Sequence, residues 1–481
     1  MYTRGFLTPN LIATDQAKMA REDTKFAKRF RRLERRTLSF GLGLIIGCLL
    51  VSMTYVVMFK ADVNYFFSIS NEEERVAADV DKSLNTASDV EPPRKPLCDL
   101  SYSFRTDVCD IEGDIRIHGK HSSTVMLLSP SGSGGETNES WQVKPQPRKW
   151  DANAMHNVRT VYVHRSRHHN APQCTVTHTV PGVVFSDSGK TGNIFHDFAD
   201  VLLPLFETTR RLNGQVQFLL ANNRTWWVYK YRHIIQKLSS YPLIDYDHDD
   251  RVHCFNHVIV GLKSDRDLMI DASRSANGVS IMDYVEFLRE AYSLPRDRPW
   301  PAGEFPGKRP RLLFIARRRT RRFVNLDKVV AVAEEVGFEV VATEPKFMRI
   351  SEFASTINSC DVMVGVHGAG MTNLMFLPTN AIVIQVVPLA KMDRIAKTYG
   401  EPAGGMKLRY LQYDISEEES TLIDLYPRDH RVFRDPDSIH KEGWFNMGEV
   451  YLKQQNVKLD VKRFRPVLEK ALQLLKEKKT E

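Results

Sequence analysis

A glycine-rich turn between two apolar runs carries the clearest chemical pattern in this sequence. The runs at 361–366 and 381–387 are short, apolar and rich in β-branched residues, which is typical of buried strands in a parallel sheet. Between them, Gly368 and Gly370 let the backbone turn tightly and approach a ligand closely. His367 stands at the carboxyl end of the first strand, where open α/β sheets place ligand-binding groups. The segment therefore predicts a nucleotide-binding crossover.

The residues after this turn predict a helix that Thr372 and Asn373 open. Free N–H groups at the start of a helix favour anionic ligands, so a phosphate group is the expected partner. A simple glycine turn beside a histidine with satisfied hydrogen bonds fits the bare pattern equally well, because glycine signatures also occur by chance.

Five arginines follow a predicted strand at 312–316, at the end where a diphosphate would lie. Guanidinium groups match phosphate oxygens in both geometry and charge. Basic clusters are more often solvated surface. The position at a strand end, with Asn325 opening the next helix, favours a phosphate site instead. The five residues are Arg317, Arg318, Arg319, Arg321 and Arg322.

A second candidate cluster is the segment HDFAD at 196–200. His196 and Asp200 stand at positions i and i+4, which share one face of a helix, whereas Asp197 points elsewhere. A carboxylate oriented by a histidine suits a general base that takes a proton from an attacking hydroxyl group. An Asp/His pair on the surface of an amphipathic helix is the plain alternative.

The charge of the chain is concentrated near its N-terminus. The formal net charge is +8, but residues 1–38 hold ten Lys or Arg and four acidic residues. The remaining residues are therefore nearly balanced, which argues against a nucleic-acid-binding surface. The length of 481 residues, 42% of them hydrophobic, is enough to bury the cores of two ordinary domains.

Residues 37–59 contain no charged side chain, and as a helix they would span about 34 Å, enough to cross the hydrocarbon core of a membrane. A cleaved signal peptide fits less well, because the tail before the apolar stretch is too long. Basic residues precede the stretch and acidic residues follow it, so residues 1–36 are expected in the cytosol. We therefore expect a signal anchor, a stem at 60–96 and a lumenal globular part.

Two sequons, at Asn138 and Asn223, are consistent with exposure to the lumen. Five cysteines follow the apolar stretch, so at most two disulfides can form among them and one thiol remains. The nearest two are close enough for a local disulfide, although spacing leaves the pairing open. The five residues are Cys98, Cys109, Cys174, Cys254 and Cys360.

Five prolines between positions 295 and 310 divide the globular part into a first region at 97–300 and a second region at 311–450. In the first region we expect strands at 161–164, 215–221 and 257–261, a loop at 129–140 and a helix at 281–292.

The second region alternates short apolar runs with amphipathic segments, which predicts a parallel sheet with helices on both faces. A C-terminal helical segment follows at 451–481, where Phe464, Val467, Leu468, Leu472 and Leu475 have helical spacing. Besides the two strands of the glycine-rich crossover, the expected elements are strands at 312–316 and 339–342 and helices at 326–336, 350–358 and 461–478.

Five segments resemble the plant branch of glycosyltransferase family 61 and occur in the same order. The segment HGAGMTNLMFLP at 367–378 is similar to the C-terminal signature of the family, and the resemblance covers roughly residues 98–459. The other segments are RTDVCDIEGDIRI at 105–117, NIFHDFADVLLPLF at 193–206, CFNHVIVGL at 254–262 and IARRRTRRFVN at 315–325.

The resemblance implies a GT-B fold, in which two Rossmann-like α/β domains face one cleft. The HDFAD segment faces the cleft in the family, which implies Asp200 as the catalytic base and His196 as its partner or as an acceptor contact. The implied nucleotide-sugar-binding residues are Arg317, Arg321, Asn325, His367, Gly368, Ala369, Gly370 and Asn373. We expect Arg317 and His367 at strand ends rather than in the core.

The resemblance also bears on an acidic cluster that could hold a metal ion. Asp245 and Asp247 form a DxD pair, a pattern that holds Mn²⁺ in another class of transferases. Acidic clusters are common in turns, and the family resembled is metal-independent. We therefore expect a polar loop and no metal cofactor, so that Arg317, Arg321 and the helix start near Gly370 neutralise the diphosphate. The acidic cluster also includes Asp249 and Asp250.

The implied activity is that of an inverting type II Golgi membrane enzyme that transfers arabinofuranose or xylose from a UDP-sugar to xylan. Its partners would be a UDP-pentose, a glycan acceptor and the membrane, but no nucleic acid; homo- and hetero-oligomeric states stay open. One alternative is xylosyl or N-acetylglucosaminyl transfer to N-glycan or protein acceptors. An alternative of another class is an inactive, membrane-anchored carbohydrate-binding or scaffold subunit.

Overall fold

The computed structural model describes residues 96–129, 139–167, 171–275, 278–300, 307–344, 349–390 and 393–477. The expected tail, membrane span and nearly all of the stem lie outside the described residues. Among the residues described, no helix combines the length and apolar character needed to cross a bilayer. Lys95–Glu481 form one compact unit, which contains two β-sheets.

The first sheet mixes parallel and antiparallel strands. Its strands are β1 (Cys98–Asp99), β2 (Val108–His118), β3 (Thr124–Ser129), β4 (Ser140–Val143), β5 (Val161–Arg167), β6 (Val176–Thr177), β7 (Gly182–Ser186), β8 (Gln217–Ala221), β9 (Ile244–Asp245) and β10 (His253–Val260). Their order is β4-β5-β3-β2-β10-β7-β8-β9, with β1 beside β2 and β6 beside β10. Because β10, β7, β8 and β9 are parallel, the loops after them leave the same edge of the sheet.

Helices of the first region cover this sheet and follow its parallel strands. A continuous helical segment after β7 consists of an α-helical turn, a π-helix and a second α-helix (Ile194–His196, Asp197–Leu202 and Leu203–Thr209). The remaining helices are Gly119–Ser122, Ala152–Met155, Arg210–Leu212, Thr225–Lys230, Arg232–Leu238 and Ile281–Ala291. The last of these begins with a capping box between Ser280 and Asp283, which fixes its N-terminus.

The second sheet is entirely parallel within the described residues. Its strands are β11 (Arg311–Ile315), β12 (Glu339–Thr343), β13 (Val362–Val366), β14 (Ile382–Val387) and β15 (Arg409–Asp414). Their order is β12-β11-β13-β14-β15. The chain therefore reverses its direction of winding between β11 and β13, and in open α/β sheets the crevice at that point is where ligands bind.

The helices of the second region alternate with these strands. They are Leu326–Val336, Ile350–Asn358, the 3₁₀-helix Ala369–Phe376, Asp393–Gly405, Glu417–Glu419, Thr421–Asp424, Arg431–Arg434, Pro436–Lys441, Trp444–Met447, the π-helix Gly448–Gln454 and Val461–Lys476. Phe464, Leu468 and Leu475 of the last helix are buried in the core on one face of the sheet. The apolar stripe expected for this helix is therefore confirmed.

Apolar side chains fill the space on both faces of the second sheet, as a parallel sheet requires. Leu312 and Phe314 lie in the core beneath the C-terminal helix, whereas Leu313 and Ile315 face the other way. The second pair shares a continuous core with Phe198 and other residues of the first region. This shared core holds the helices after β7 against the helices of the second sheet.

The mixed α/β class is confirmed, and the predicted strands and helices of the second region, apart from the helix after the glycine turn, lie within one or two residues of their expected bounds. The helix Asp393–Gly405, strand β15 and the short helices between Glu417 and Gln454 were not predicted. The first region was predicted less completely, because β2, β3 and β7 were missed and β10 begins at His253 rather than at position 257. Disulfides join Cys98 to Cys109 and Cys174 to Cys254, and Cys360 is a buried thiol. The expectation of at most two disulfides and one thiol is confirmed.

Candidate functional site

Two arginine side chains converge on one glycine beside the carboxyl ends of β11 and β13. A side chain on Gly368 would place its Cβ 2.3 Å from an Arg321 guanidinium nitrogen and 3.1 Å from an Arg317 guanidinium nitrogen. Gly368 also has a φ of 141°, a backbone conformation that side chains with a Cβ rarely adopt. The glycine is therefore required both for the turn and for the close approach of two cations.

Neither guanidinium has a carboxylate partner among the described residues. Arg317 Nε donates to Thr320 O (2.9 Å), and Arg321 donates through one terminal nitrogen to His367 O (2.8 Å), while its buried Nε donates to nothing described. Burial lowers the pKa of Arg317, and burial together with Arg317 lowers the pKa of Arg321 to about 10. Two protonated groups thus lie side by side in a poorly solvated place, which favours an anion as their counterpart.

The loop that carries these arginines is held in a strained conformation. Arg321 has a φ of 53°, which is uncommon outside glycine, and its backbone N–H donates to Gln455 O (2.9 Å). Asn325 precedes the helix Leu326–Val336 as expected, but its side chain does not cap that helix. Its amide instead donates to Leu459 O (2.8 Å). Asn325 therefore fixes the loop to the C-terminal segment.

His367 follows β13 as predicted, but it is buried rather than exposed at a strand end. Gln385 donates through Nε2 to His367 Nδ1 (2.9 Å), while Gln385 Oε1 accepts a hydrogen bond from the Tyr410 hydroxyl (3.0 Å). Burial, with Arg321 and Arg317 nearby, lowers the pKa of His367 to about 3. The ring is therefore neutral and carries its proton on Nε2. The expectation that His367 lies outside the core was wrong, because β14 supplies a buried glutamine against it.

The helix after the glycine turn begins earlier than predicted. It is a 3₁₀-helix that starts at Ala369, so Thr372 and Asn373 lie inside it and are fully buried. Asn373 donates through its amide to Gly370 O (2.9 Å), and Thr372 contacts the Tyr399 hydroxyl (3.4 Å). The helix start predicted at Thr372 and Asn373 was wrong, because Gly368 already turns the chain. Both side chains support the turn from within.

The structure brings His196 and Asp200 together on one face, as their spacing predicted. His196 Nδ1 lies 2.8 Å from Asp200 Oδ2. The carboxylate accepts, so Nδ1 carries a proton, and in the neutral form of the ring Nε2 keeps a lone pair. The histidine side chain is 14% exposed, whereas Asp200 is buried. Asp197 faces the interior, where it accepts hydrogen bonds from the side chains of Trp227, Lys230 and Tyr231.

Asp200 has partners that sequence reasoning missed. Its Oδ1 accepts from Arg105 (3.0 Å) and lies 3.5 Å from an Arg148 nitrogen. Arg105 also pairs with Asp267 (2.6 Å), and Arg105 Nε donates to Ser264. Arg105 opens the segment RTDVCDIEG that carried part of the family resemblance, which was the available signal. Arg148 and Asp267 gave no comparable signal, since only tertiary structure places them here.

The two clusters lie at one interface between the regions. The ring of Phe195, next to His196, packs edge-on against Tyr399 (6.1 Å between centroids), and Tyr399 packs against His367 (5.5 Å). Phe198 of the same helical segment packs against Phe376 of the 3₁₀-helix (5.9 Å). The buried Tyr399 therefore links the histidine of the first cluster to the arginine and histidine cluster of the second.

Comparison with known proteins identifies the family to which the chain belongs. A model of the family Glycosyltransferase 61 matches residues 194–384, which include HDFAD, the arginine loop and the glycine turn. The chain is 45% identical over 437 residues to Beta-1,2-xylosyltransferase XYXT1 of Oryza sativa subsp. japonica, covering 88% of this chain and 92% of that protein. The chain belongs to glycosyltransferase family 61. It is therefore an enzyme of glycosyl transfer.

Other relatives of this family 61 chain are similar over a large part of its length. It is 49% identical over 387 residues to Alpha-1,3-arabinosyltransferase XAT3 of Oryza sativa subsp. japonica, covering 80% of this chain and 66% of that protein. It is 36% identical over 403 residues to Xylan glycosyltransferase MUCI21 of Arabidopsis thaliana, covering 79% of this chain and 81% of that protein.

In this family 61 chain the acidic pair Asp245 and Asp247 is already engaged. Asp245 accepts a hydrogen bond from the Asn223 amide (2.9 Å), and Asp247 accepts from the Asn222 backbone (2.6 Å) and lies 3.1 Å from Arg159 Nε. Within the described ranges, no group of three or more metal-ligating side chains is arranged to hold an ion. Both carboxylates therefore form contacts that hold the loop after β9.

The two sequons of this family 61 chain differ in what the structure describes. Asn223 is partly buried, and its amide nitrogen, the atom to which a glycan would be attached, donates to Asp245. Asn138 lies outside the described residues. Glycosylation at both positions stays a prediction, and at Asn223 the glycan would have to replace this hydrogen bond.

Proposed function

We propose that this chain is an inverting glycosyltransferase that transfers a pentose, arabinofuranose or xylose, from a UDP-sugar to xylan. The observation that carries the proposal is the pair of partly buried arginines, Arg317 and Arg321, which meet over Gly368 without a carboxylate partner in the described structure. A diphosphate supplies two adjacent anionic groups, which is what two adjacent guanidinium groups bind best.

In this proposal the two sheets form a GT-B arrangement, with acceptor-side groups in the first region and donor-side groups in the second. Support comes from the second sheet, whose reversal of winding falls between β11 and β13. Arg317 follows β11 and His367 follows β13. The donor would therefore bind at the crevice of the second sheet, and the acceptor would approach from the HDFAD side.

The reaction needs a base to take the proton of the attacking acceptor hydroxyl. Asp200 was expected in that role, but it is buried and already accepts hydrogen bonds from Arg105 and His196. We assign the base to His196 instead, since Nε2 keeps a lone pair when Nδ1–H donates to Asp200. Asp200 then fixes the orientation and tautomer of the imidazole, as a carboxylate does in other histidine-based sites.

The bond from the acceptor oxygen to the anomeric carbon forms while the bond from that carbon to the diphosphate oxygen breaks. Attack from the face opposite the leaving group inverts the anomeric configuration. His196 takes the hydroxyl proton, and UDP leaves with an additional negative charge on its β-phosphate. Arg317 and Arg321 neutralise that charge as fixed cations, and the neutral His367 can donate one more hydrogen bond through Nε2.

We further propose that no metal cofactor takes part, since two arginines already provide positive charge at the diphosphate. The chemistry of the site supports this assignment, because fixed cations need no reorganisation as charge develops on the leaving group. In this proposal Asp245 and Asp247 only stabilise the loop in which they lie.

We propose a single-pass type II location in the Golgi membrane with the globular part in the lumen. The apolar stretch at 37–59 and the charge difference across it support this topology. The two disulfides fit an oxidising compartment. If protease digests the globular part in intact microsomes, this topology is wrong.

The sugar and acceptor are tested with the full-length protein and a panel of UDP-sugars, each with and without xylo-oligosaccharides. We expect pentose transfer to the xylo-oligosaccharide with inverted configuration, and we expect it to persist in EDTA and in the Asp245→Asn, Asp247→Asn double variant. Transfer of N-acetylglucosamine alone would point to a protein or N-glycan acceptor. Absence of both transfer and UDP binding would indicate an inactive scaffold. If EDTA abolishes transfer and Mn²⁺ restores it, the metal-free mechanism is wrong.

A further inference from the structure

Two exposed aromatic side chains flank the cluster of Arg105, Arg148 and Asp200. Trp150 is 52% exposed and Phe104 is 65% exposed, although each is next or nearly next in sequence to a buried arginine of that cluster. Large aromatic side chains on a rigid surface beside a functional cluster are typical of binding sites.

Trp150 is linked to the proposed base, His196, through two side chains, those of Arg148 and Asp200. The Arg148 guanidinium lies over the indole ring, 4.4 Å from its centroid. The same guanidinium is 3.5 Å from Asp200 Oδ1 and 3.9 Å from Asp267 Oδ1. Arg148 covers one part of the indole, and about half of the side chain stays open to solvent.

The loop that presents Trp150 is held firmly in an unusual conformation. Arg148 has a φ of 93°, in the region that favours glycine. The backbone N–H groups of Arg148 and Lys149 both donate to Arg105 O, at 2.7 and 2.9 Å, and Lys149 pairs with Asp107 (2.7 Å). The segments that carry Phe104 and Trp150 are therefore fastened to each other, and the strain at Arg148 is the kind that accumulates at ligand sites.

The charges around Trp150 indicate which class of ligand this surface can bind. The positive charge of Arg148 and Arg105 is matched by Asp200 and Asp267, so the surface offers no unpaired cation to a phosphate group within the part of the chain described. It does offer hydrogen-bond donors and acceptors next to an apolar ring. A neutral ligand with many hydroxyl groups and an apolar C–H face fits this combination, and a pyranose ring has both.

We infer that Trp150 forms an acceptor subsite in which its indole stacks on a xylose ring of a xylan chain, adjacent to the residue whose hydroxyl faces His196. The inference rests on the proposed function, because it takes xylan as the acceptor. It adds that the enzyme binds several residues of the chain rather than a single sugar.

The test measures transfer by the full-length Trp150→Ala protein to xylo-oligosaccharides of two to six residues. We expect KM for the hexasaccharide to rise about tenfold, because the variant loses the aromatic face that stacks on the sugar ring, whereas KM for the disaccharide changes less. Trp150→Phe retains an aromatic face and should restore most of the affinity. Trp444→Ala, which removes an exposed tryptophan elsewhere, is the matched control and should leave KM at the wild-type value.

Several outcomes would overturn the inference while leaving the proposed function intact. A fall in kcat at every acceptor length, with KM unchanged, would show that Trp150 only supports Arg148 and Asp200. An unchanged KM together with a changed oligomeric state on size exclusion would make the surface a protein contact. Reduced UDP affinity would place the ring in the donor site. If the wild-type protein transfers no pentose to any xylo-oligosaccharide, the proposed function fails first and the subsite fails with it.

Discussion

Two pairs of arginines lie at the interface of the two regions, one buried and one partly buried, and they differ in their partners. Arg105 and Arg148 face the carboxylates of Asp200 and Asp267 at distances from 2.6 to 3.9 Å. Arg317 and Arg321 face each other and backbone carbonyls, with no carboxylate paired to them in the described part of the chain. The first pair is complete within the protein, whereas the second pair has no carboxylate within ion-pair distance among the described residues.

This difference indicates that the first pair positions other side chains, whereas the second pair binds a ligand. A buried charge that is fully paired stabilises the fold only as long as both partners remain, because removing one leaves the other uncompensated. An unpaired cation in a partly buried position lowers the stability of the ligand-free protein and gains its counterion when a ligand binds. The first pair therefore holds Asp200 and His196 in place, and the second pair holds the donor diphosphate.

The largest effect on stability is expected for Arg105→Met, which removes one partner of the complete pair. Asp200 would be left buried with a weaker counter-charge, so we expect a loss of about 3 to 5 kcal/mol in the free energy of unfolding, measured by chemical denaturation. Arg349→Met removes an exposed arginine paired with the exposed Glu352 and should change stability far less. Equal losses in both variants would show that the Arg105–Asp200 pair contributes no more to stability than an exposed ion pair.

The next effect is on the rate of transfer. His196→Ala removes the proposed base, and we expect the turnover number to fall about 10² to 10⁴-fold while the affinity for UDP is retained. Asp200→Asn should also lower turnover, and it should lower stability because the charge of Arg105 loses its partner. If His196→Ala transfers sugar at the wild-type rate, the base must lie elsewhere. Asp267, whose side chain is 36% exposed, would then be the first candidate.

A smaller effect concerns Glu207, a buried carboxyl whose Oε1 accepts no hydrogen bond among the described residues. Burial, with Asp265 nearby, raises the pKa of Glu207 to about 8. The folded protein therefore binds a proton that the unfolded chain releases at lower pH, and this contribution to stability is lost as the pH rises through about 8. An unpaired carboxyl group becomes neutral when it binds a proton, whereas an unpaired arginine stays charged.

We accordingly expect Glu207→Gln to be more stable than wild type at pH 8.5, by roughly 2 kcal/mol, and closer to wild type at pH 5.5. Denaturation curves at both pH values measure the difference. Glu290→Gln changes an exposed glutamate and should show no such dependence on pH. A Glu207→Gln protein that is equally destabilised at both values would mean that Glu207 is charged and paired in the folded state.

The first four strands of the second region were predictable because their signals are local. Each of β11, β13 and β14 is a short apolar run, and fully buried strands show this pattern whatever surrounds them. In the first region, β2 alternates buried residues with acids and a glycine, and β7 begins with a glycine after a proline, so neither gave a clear signal.

The candidate site also contains residues that could be predicted from the sequence and residues that could not. The arginine loop and the glycine turn could be found from strand ends, and the His196–Asp200 contact from helical spacing. Arg105 meets Asp200 across 95 positions of sequence, and no local pattern reports such a contact. The burial of His367 likewise depends on Gln385 from the neighbouring strand.

The central claim is that the unpaired arginine pair binds the donor diphosphate, and titration calorimetry with UDP on Arg321→Met tests it most directly when paired with denaturation of the same protein. We predict that UDP affinity falls by about 1.5 to 3 kcal/mol, the cost of one charge-assisted contact, while the ligand-free protein is as stable as wild type or more so. Arg318→Met, which removes an arginine that is 86% exposed, should bind UDP as wild type does. Unchanged UDP affinity in Arg321→Met, or a loss of stability like that of Arg105→Met, would contradict the account.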